Sequence, residues 1–138
     1  MPVSGDFPAA HNGPVTALSP AKLHHQFVLA ANPAMRVPGW NHQMCGGYAI
    51  STHPSLPVRQ IVDAAGRPLG LGLGWLLAPG HAPDAADPVA LDVDSAESSS
   101  LEAEIYRFGG RFVVLIVSDK VQRLYLDPAG TLGVVHSP

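Results

Sequence analysis

Charged side chains are scarce in this chain of 138 residues, of which only 14% are Asp, Glu, Lys or Arg. The 8 basic residues are scattered along the sequence, so they form no basic cluster of the kind that follows a phosphate backbone. The net charge of -3 also argues against nucleic acid as a ligand. Because 46% of the residues are hydrophobic, we expect an apolar surface that needs a partner.

Cysteine is almost absent from the sequence. Cys45 is the only one, and a single cysteine cannot form a disulfide within the chain. No run approaches the roughly 18 consecutive apolar residues of a membrane-spanning helix, and residues 1–14 lack the basic stretch and apolar core of a secretory signal. We therefore expect a cytoplasmic protein that binds neither a membrane nor nucleic acid.

The length suits one domain with its own hydrophobic core. Residues 1–22 are rich in Pro, Gly, Ser, Ala and Asn without a sustained hydrophobic period, so they are predicted to form a flexible lead-in. The folded domain is then expected to cover residues 23–138.

Short apolar runs between turn residues predict a mostly antiparallel sheet with one helix. The helix is predicted over 99–108, because Ser99 and Glu102 have the spacing of a capping box. The Pro- and Asp-rich residues 78–94 are predicted to be a long irregular loop. Strands are predicted around 25–30, within 40–52, over 58–62, as a hairpin over 111–126 with its turn at 119–120, and over 132–136.

Residues 69–77 alternate glycine with leucine or tryptophan. The period of two predicts a strand, and the glycine face predicts close approach of another backbone. Neither GxGxxG nor GxxxxGK[ST] occurs, so this segment is not predicted to bind phosphate. One face is expected to carry Leu69, Leu71, Leu73, Trp75 and Leu77, and the other Gly70, Gly72 and Gly74.

A series of motifs marks the C-terminal third of the sequence. Gly109-Gly110-Arg111-Phe112 is followed by an apolar strand, a tight turn and the sequence Leu-Tyr-Leu-Asp-Pro-Ala-Gly at 124–130. This order resembles the class II glutamine amidotransferase domain of asparagine synthetase-like proteins, and the resemblance extends more weakly over 25–136. It identifies the following as turn and core motif residues: Gly109, Gly110, Phe112, Asp127 and Gly130.

The resemblance implies an α+β fold of the N-terminal-nucleophile (Ntn) hydrolase type, a sandwich (αββα) of mostly antiparallel β-sheets, here with few helices. In catalytic members the mature chain begins with a cysteine, whose free amine serves as base while the thiolate attacks glutamine. The first predicted strand has no cysteine, and Leu126 stands where the family has an arginine before Asp127. The resemblance therefore implies a degenerate module with no catalytic residue, cofactor or metal.

The synthetase half of the family carries a Ser-Gly-Gly-x-Asp-Ser loop that binds ATP, and these 138 residues contain no such loop. The implied function is then structural. We expect a docking partner for an ATP-dependent amide-forming synthetase domain or chain, with a homo-oligomer as the other expected assembly.

Cys45 offers an alternative. The sequence Met44-Cys45-Gly46-Gly47 is similar to the Met-Cys-Gly start of active amidotransferases. Exposure of the Cys45 amine, by a protease or by a start at Met44, would give a glutamine amidohydrolase with Cys45 as its nucleophile. The ordinary interpretation is a buried strand cysteine that behaves as a small hydrophobe.

The histidines offer another alternative, a small-ligand or metal-binding domain. No two of them have the H-E-x-x-H spacing, and adjacent histidines on the first strand would point to opposite faces. A site would have to be assembled from distant residues and the 78–94 loop. The seven are His11, His24, His25, His42, His53, His81 and His136.

Overall fold

A computed structural model of the chain describes residues 24–78, 88–130 and 132. The lead-in predicted over 1–22 lies outside these residues, as does nearly all of the strand predicted over 132–136. The described residues form strands β1 (Phe27–Ala30), β2 (Asn41–Cys45), β3 (Tyr48–Thr52), β4 (Val58–Val62), β5 (Pro68–Leu77) and β6 (Val89–Ala90), helix α1 (Leu101–Ile105), and strands β7 (Gly109–Val117) and β8 (Gln122–Leu126).

The strands make two sheets. Sheet A has the order β1-β3-β2, and sheet B has the order β6-β4-β5-β7-β8. All pairs are antiparallel except β4 with the short β6, which was missed because it lies within the predicted 78–94 loop. The fold is therefore mostly β, with two mainly antiparallel sheets and one short helix. The described residues do not form a complete αββα sandwich.

Strand β7 explains how the two sheets are held together. Alternate side chains of a strand point to opposite faces. Val113 and Leu115 join Ile50 of β3 in the core between the sheets. Phe112 and its alternate neighbours pack instead with α1 on the other face of sheet B. Sheet B is thus buried on both faces, which explains the uninterrupted apolar run at 112–117.

The Leu-Gly segment forms strand β5, as predicted, and its glycines are needed where β7 approaches. A Cβ atom at Gly70 would collide with the carbonyl oxygen of Leu115, and one at Gly74 with that of Arg111. The predicted leucine face is only partly correct. Leu69 lies in the opposite core, because the pairing of β4 with β5 shifts at Val62, and Leu77 is exposed.

The helix is shorter than predicted, and the predicted capping box does not form. Ser100, not Ser99, is the N-cap residue, and its side chain makes no capping hydrogen bond. The serine hydroxyl of Ser100 instead contacts that of Ser98 at 2.9 Å. No helix in the described part of the chain is long and apolar enough to cross a membrane.

Candidate functional site

Two of the motif residues of the C-terminal third, Phe112 and Gly130, contact a third, Asp127, in the turn that follows strand β8. Asp127 is 3% exposed. Its carboxylate accepts the backbone N–H groups of Ala129 at 3.0 Å, Phe112 at 3.3 Å and Leu132 at 3.3 Å. The backbone N–H of Gly130 donates to the Asp127 carbonyl at 2.8 Å. A buried carboxylate with several backbone donors stabilises a turn, so Asp127 has a structural role here.

The remaining motif residues lie on strand β7. Phe112 is fully buried in the core of sheet B. Gly110 has a φ of 109°, and a Cβ atom there would meet the carbonyl oxygen of Trp75. Gly109 pairs with Leu77 at the start of β7, so these two glycines begin a strand. The contacts of the motif residues are thus structural.

Cys45 is the last residue of β2, where it pairs with Tyr48 across the turn to β3. Gly46 follows with a φ of 58°, and it has no room for a Cβ atom beside Val117. Cys45 is one of the residues that line an open groove of about 590 Å³ between the edge of sheet A and sheet B. The groove is lined by Gln43, Met44, Cys45, Gly46, Val58, Gln60, Pro68, Leu69, Gly70, Leu71 and Val117.

The surroundings of Cys45 do not activate its thiol. Burial raises the pKa of the Cys45 thiol, which keeps it protonated and weakly nucleophilic at neutral pH. Among the described residues, the wall of the groove contains no histidine or carboxylate that would serve as a base. The Cys45 nitrogen is part of an internal peptide bond. In this fold Cys45 therefore has the environment of a structural cysteine.

Three histidines come together at the other end of sheet A, which the sequence did not predict. His24 and His25 lie in a turn before β1 and not on the strand, and His25 has a φ of 59°. The ring of His24 lies 4.8 Å from that of His53, between centroids. The two tryptophans border the same cluster, with Trp75 4.9 Å from His25 and Trp40 5.7 Å from His53.

Ser55 connects two of these histidines. The Nδ1 atom of His53 lies 2.6 Å from the hydroxyl and 3.1 Å from the backbone nitrogen of Ser55. Since a backbone N–H only donates, this Nδ1 is the unprotonated nitrogen of the His53 ring. The Ser55 hydroxyl also accepts the backbone N–H of His25 at 3.1 Å. Ser55 was not singled out from the sequence. In the turn that it forms, the His53 side chain accepts the backbone N–H two residues later, as Asn and Asp side chains do in many turns.

The histidine cluster does not have the geometry of a metal site. Within the described residues, no three His, Cys, Asp or Glu side chains are placed to hold an ion. His42 lies apart on β2, where its Nδ1 atom contacts the hydroxyl of Ser51 at 3.0 Å. Three of the candidate histidines, His11, His81 and His136, lie outside the described residues.

Two partly exposed leucines lie on β8, at the edge of sheet B as the described residues form it. Strand β8 pairs only with β7 among the described residues. Its side chains Leu124 and Leu126 point to the same face and are 38% and 36% exposed. An exposed edge strand with unpaired backbone groups and few charges favours contact with another chain.

Comparison with known proteins gives no match, since no protein family, curated protein or solved structure is significantly similar to this chain. Its function therefore has to be inferred from the contacts of its own residues.

Proposed function

We propose that this chain is a non-catalytic module of the glutamine amidotransferase type, related to that of asparagine synthetase-like proteins, which docks on an ATP-dependent amide-forming synthetase domain. The observation that carries the proposal is the β7–β8 hairpin closed by Asp127. It attaches two of the motif residues, Phe112 and Gly130, to the Asp127 turn. Because backbone N–H groups occupy the carboxylate, Asp127 supports the fold and does not bind substrate.

The layers of the molecule are compatible with this proposal. Sheets A and B stack face to face over the core that contains Ile50 and Val113, and α1 covers the other face of sheet B. This gives the order sheet, sheet, helix. We propose that these are three of the four layers of a degenerate αββα sandwich.

The surroundings of Cys45 support a module without glutaminase activity. A glutaminase of this type needs a thiolate beside a free amine. Here burial raises the pKa of the Cys45 thiol, and its nitrogen lies within strand β2. Neither requirement is met while residues 41–45 form that strand.

The edge strand β8 is the proposed docking surface. Leu124 and Leu126 lie just before the Asp127 turn, where an added strand or helix would bury both side chains. Complete burial of one leucine contributes about 1.5–3 kcal/mol, and these two are already about two-thirds buried, so each would add only part of that. Arg123 is the only charged side chain on β8, so little charge has to be desolvated on docking.

The docking proposal is tested by binding to the synthetase domain of an asparagine synthetase that has been produced without its own amidotransferase domain. Sedimentation velocity of the two purified proteins is expected to show a complex. Replacement of both Leu124 and Leu126 by Asp should weaken binding about tenfold or more, since charges would then be buried at the contact. Leu77→Asp is the matched control, because Leu77 is 41% exposed on a different strand.

Either of two results would contradict the proposal. One is that the wild-type chain does not bind the synthetase domain. The other is that it releases ammonia from glutamine in a reaction that Cys45→Ala abolishes. Equal weakening by Leu77→Asp and by the double β8 variant would instead show that β8 is not the docking surface.

A further inference from the structure

The turn around Ser55 fastens the beginning of β1 to the rest of the domain. The N–H of His53 donates to the Gln26 carbonyl at 2.9 Å, and the N–H of His25 donates to the Ser55 hydroxyl at 3.1 Å. The His25 Nδ1 atom lies 3.2 Å from the Ser55 carbonyl oxygen, so it is the protonated nitrogen of that ring. These contacts join residues about 30 positions apart in sequence, and we call them the Ser55 latch.

The latch holds a strained residue. His25 has a φ of 59°, a left-handed conformation that residues other than glycine seldom adopt. Such strain persists only where surrounding contacts hold it in place. Loss of the hydrogen bonds to Ser55 would let His25 relax to a negative φ, which would turn the chain away from β3 at the start of β1.

The Ser55 turn, on which the latch depends, requires an uncharged histidine. The Nδ1 atom of His53 accepts hydrogen bonds from both the N–H and the hydroxyl of Ser55. A proton on that nitrogen would face the Ser55 N–H, which can only donate, and leave it without its acceptor. His53 is 8% exposed, so water does not readily replace the lost bond.

The neighbouring groups add to the cost of protonation. His24 lies against His53, and His25 shares Ser55 with it, so any charge on these rings would lie close to a charge on His53. Trp40 and Trp75 supply the aromatic walls, and Arg111 pairs opposite Trp75 on β7. Among the described residues, no carboxylate forms an ion pair or a hydrogen bond with the three rings, so nothing described there compensates the charge.

We propose that the Ser55 latch is a pH-sensitive switch: protonation of His53 at Nδ1 breaks the latch, His25 relaxes, and β1 separates from β3. Histidine is the side chain that ordinarily changes charge between about pH 5 and 8. The switch would thus loosen an edge strand of sheet A on mild acidification and leave sheet B intact. It depends on neither the amidotransferase resemblance nor the docking surface.

Hydrogen exchange and tryptophan emission test the switch on the full chain. We expect the protection factors of residues 27–30 to fall about tenfold from about pH 8 to about pH 5, as for loss of a buried hydrogen bond. These factors are corrected for the pH dependence of the intrinsic amide exchange rate. Those of residues 112–116 should not change. Tryptophan emission should shift to longer wavelength, because both tryptophans of the chain border the cluster.

Variants separate the switch from general acid sensitivity. His53→Asn keeps a neutral side-chain oxygen that accepts from Ser55, so its β1 protection should not depend on pH. Ser55→Ala removes the latch, and β1 protection should already be low at about pH 8. His42→Gln is the matched control, because His42 lies outside the cluster, and it should respond to pH as the wild type does.

Any of three results would overturn the proposal. The first is that protection of residues 27–30 in the wild type stays constant over this pH range, and the second is that His53→Asn responds to pH as the wild type does. The third is a nitrogen-15 spectrum near pH 8 that shows His53 protonated at Nδ1 while the latch is formed, which the two donors of Ser55 forbid.

Discussion

The sequence Asp-x-Ala-Gly occurs twice in this protein, after β4 and after β8, and both copies form the same turn. In each, the aspartate carboxylate accepts the N–H of the alanine two residues later, at 2.9 Å for Asp63 and 3.0 Å for Asp127. The glycine has a positive φ, 81° at Gly66 and 61° at Gly130, and donates its N–H to the aspartate carbonyl. The local chemistry is therefore the same at both places.

The two turns differ in what the second carboxylate oxygen binds. In Asp63 it accepts the side chain of Arg67 at 2.7 Å, and that side chain is 67% exposed. In Asp127 it accepts backbone N–H groups, that of Phe112 on the neighbouring strand and that of Leu132. One turn is thus completed by an exposed arginine side chain and the other by the backbone of the core. The turn alone is consequently a weak family signal, and its attachment to Phe112 is the more specific feature.

The largest predicted difference follows from removal of each carboxylate. Asp127→Ala would leave three N–H groups without their acceptor, including that of buried Phe112, and should lower the free energy of unfolding by about 2–3 kcal/mol. Asp63→Ala also removes the acceptor of three N–H groups, one of Ala65 and two of Arg67. It should cost less, because both of these donor residues are exposed and water can replace the lost acceptor. Urea unfolding of both variants measures the difference. Equal losses would mean that the attachment to Phe112 contributes nothing beyond the turn.

The glycines should behave alike, because the two turns share their backbone conformation. Gly66→Ala and Gly130→Ala are each expected to cost about 1–2 kcal/mol, the usual penalty of a side chain at positive φ. Neither position has a heavy atom within 4 Å of an added Cβ, so collision contributes nothing. Thermal unfolding of the two variants should give similar losses. A much larger loss at one of them would show that the turns are not equivalent.

A smaller difference is expected in acid. Burial opposes ionisation of Asp63, but hydrogen bonds from Arg67 and Ala65 outweigh it and hold the pKa of Asp63 below its ordinary value. Its ionised form therefore stabilises the fold above about pH 4, and this stabilisation is lost as the pH falls through the lowered pKa. Between about pH 5 and about pH 3, Asp63→Asn should lose less stability in urea unfolding than the wild type. A parallel decline in the two proteins would contradict this assignment.

The smallest effect is expected for Arg67→Met, which keeps the apolar stem and removes the charge. An ion pair with a largely exposed partner contributes about 0–1 kcal/mol. The turn itself should persist, since Ala65 still donates to Asp63. Urea unfolding in low and high salt checks this, because the wild type but not Arg67→Met should weaken slightly as salt rises. A loss as large as that of Asp127→Ala would be inconsistent with an exposed pair.

Much of sheet B could be predicted from the sequence, because its strands are continuous apolar runs bounded by Asp and Gly turns. Strand β7 was predicted in this way, and strand β5 was predicted from its alternation of glycine with leucine. The prediction of the face on which Leu69 lies was wrong, because the shift in strand pairing at Val62 leaves no pattern in the sequence. The two-residue β6 was missed because its parallel pairing with β4 depends on tertiary contacts and not on local periodicity.

The candidate sites were less predictable. Cys45 was correctly placed on a strand, but its groove is formed by β2 meeting residues of β4, β5 and β7, which no local motif encodes. The histidine cluster joins His24 and His25 to His53, and it depends on the left-handed turn at His25. The sequence pattern was interpreted as a regular strand at His24 and His25, which would place their two rings on opposite faces.

The central claim, a non-catalytic amidotransferase-like module, is tested most directly by an intact-mass spectrum after incubation with an electrophilic glutamine analogue. The account predicts a full-length chain without an adduct, because the Cys45 thiol is protonated and its nitrogen is in a peptide bond. A chain that begins at Cys45 and carries one adduct on that residue would contradict it and identify Cys45 as a catalytic nucleophile.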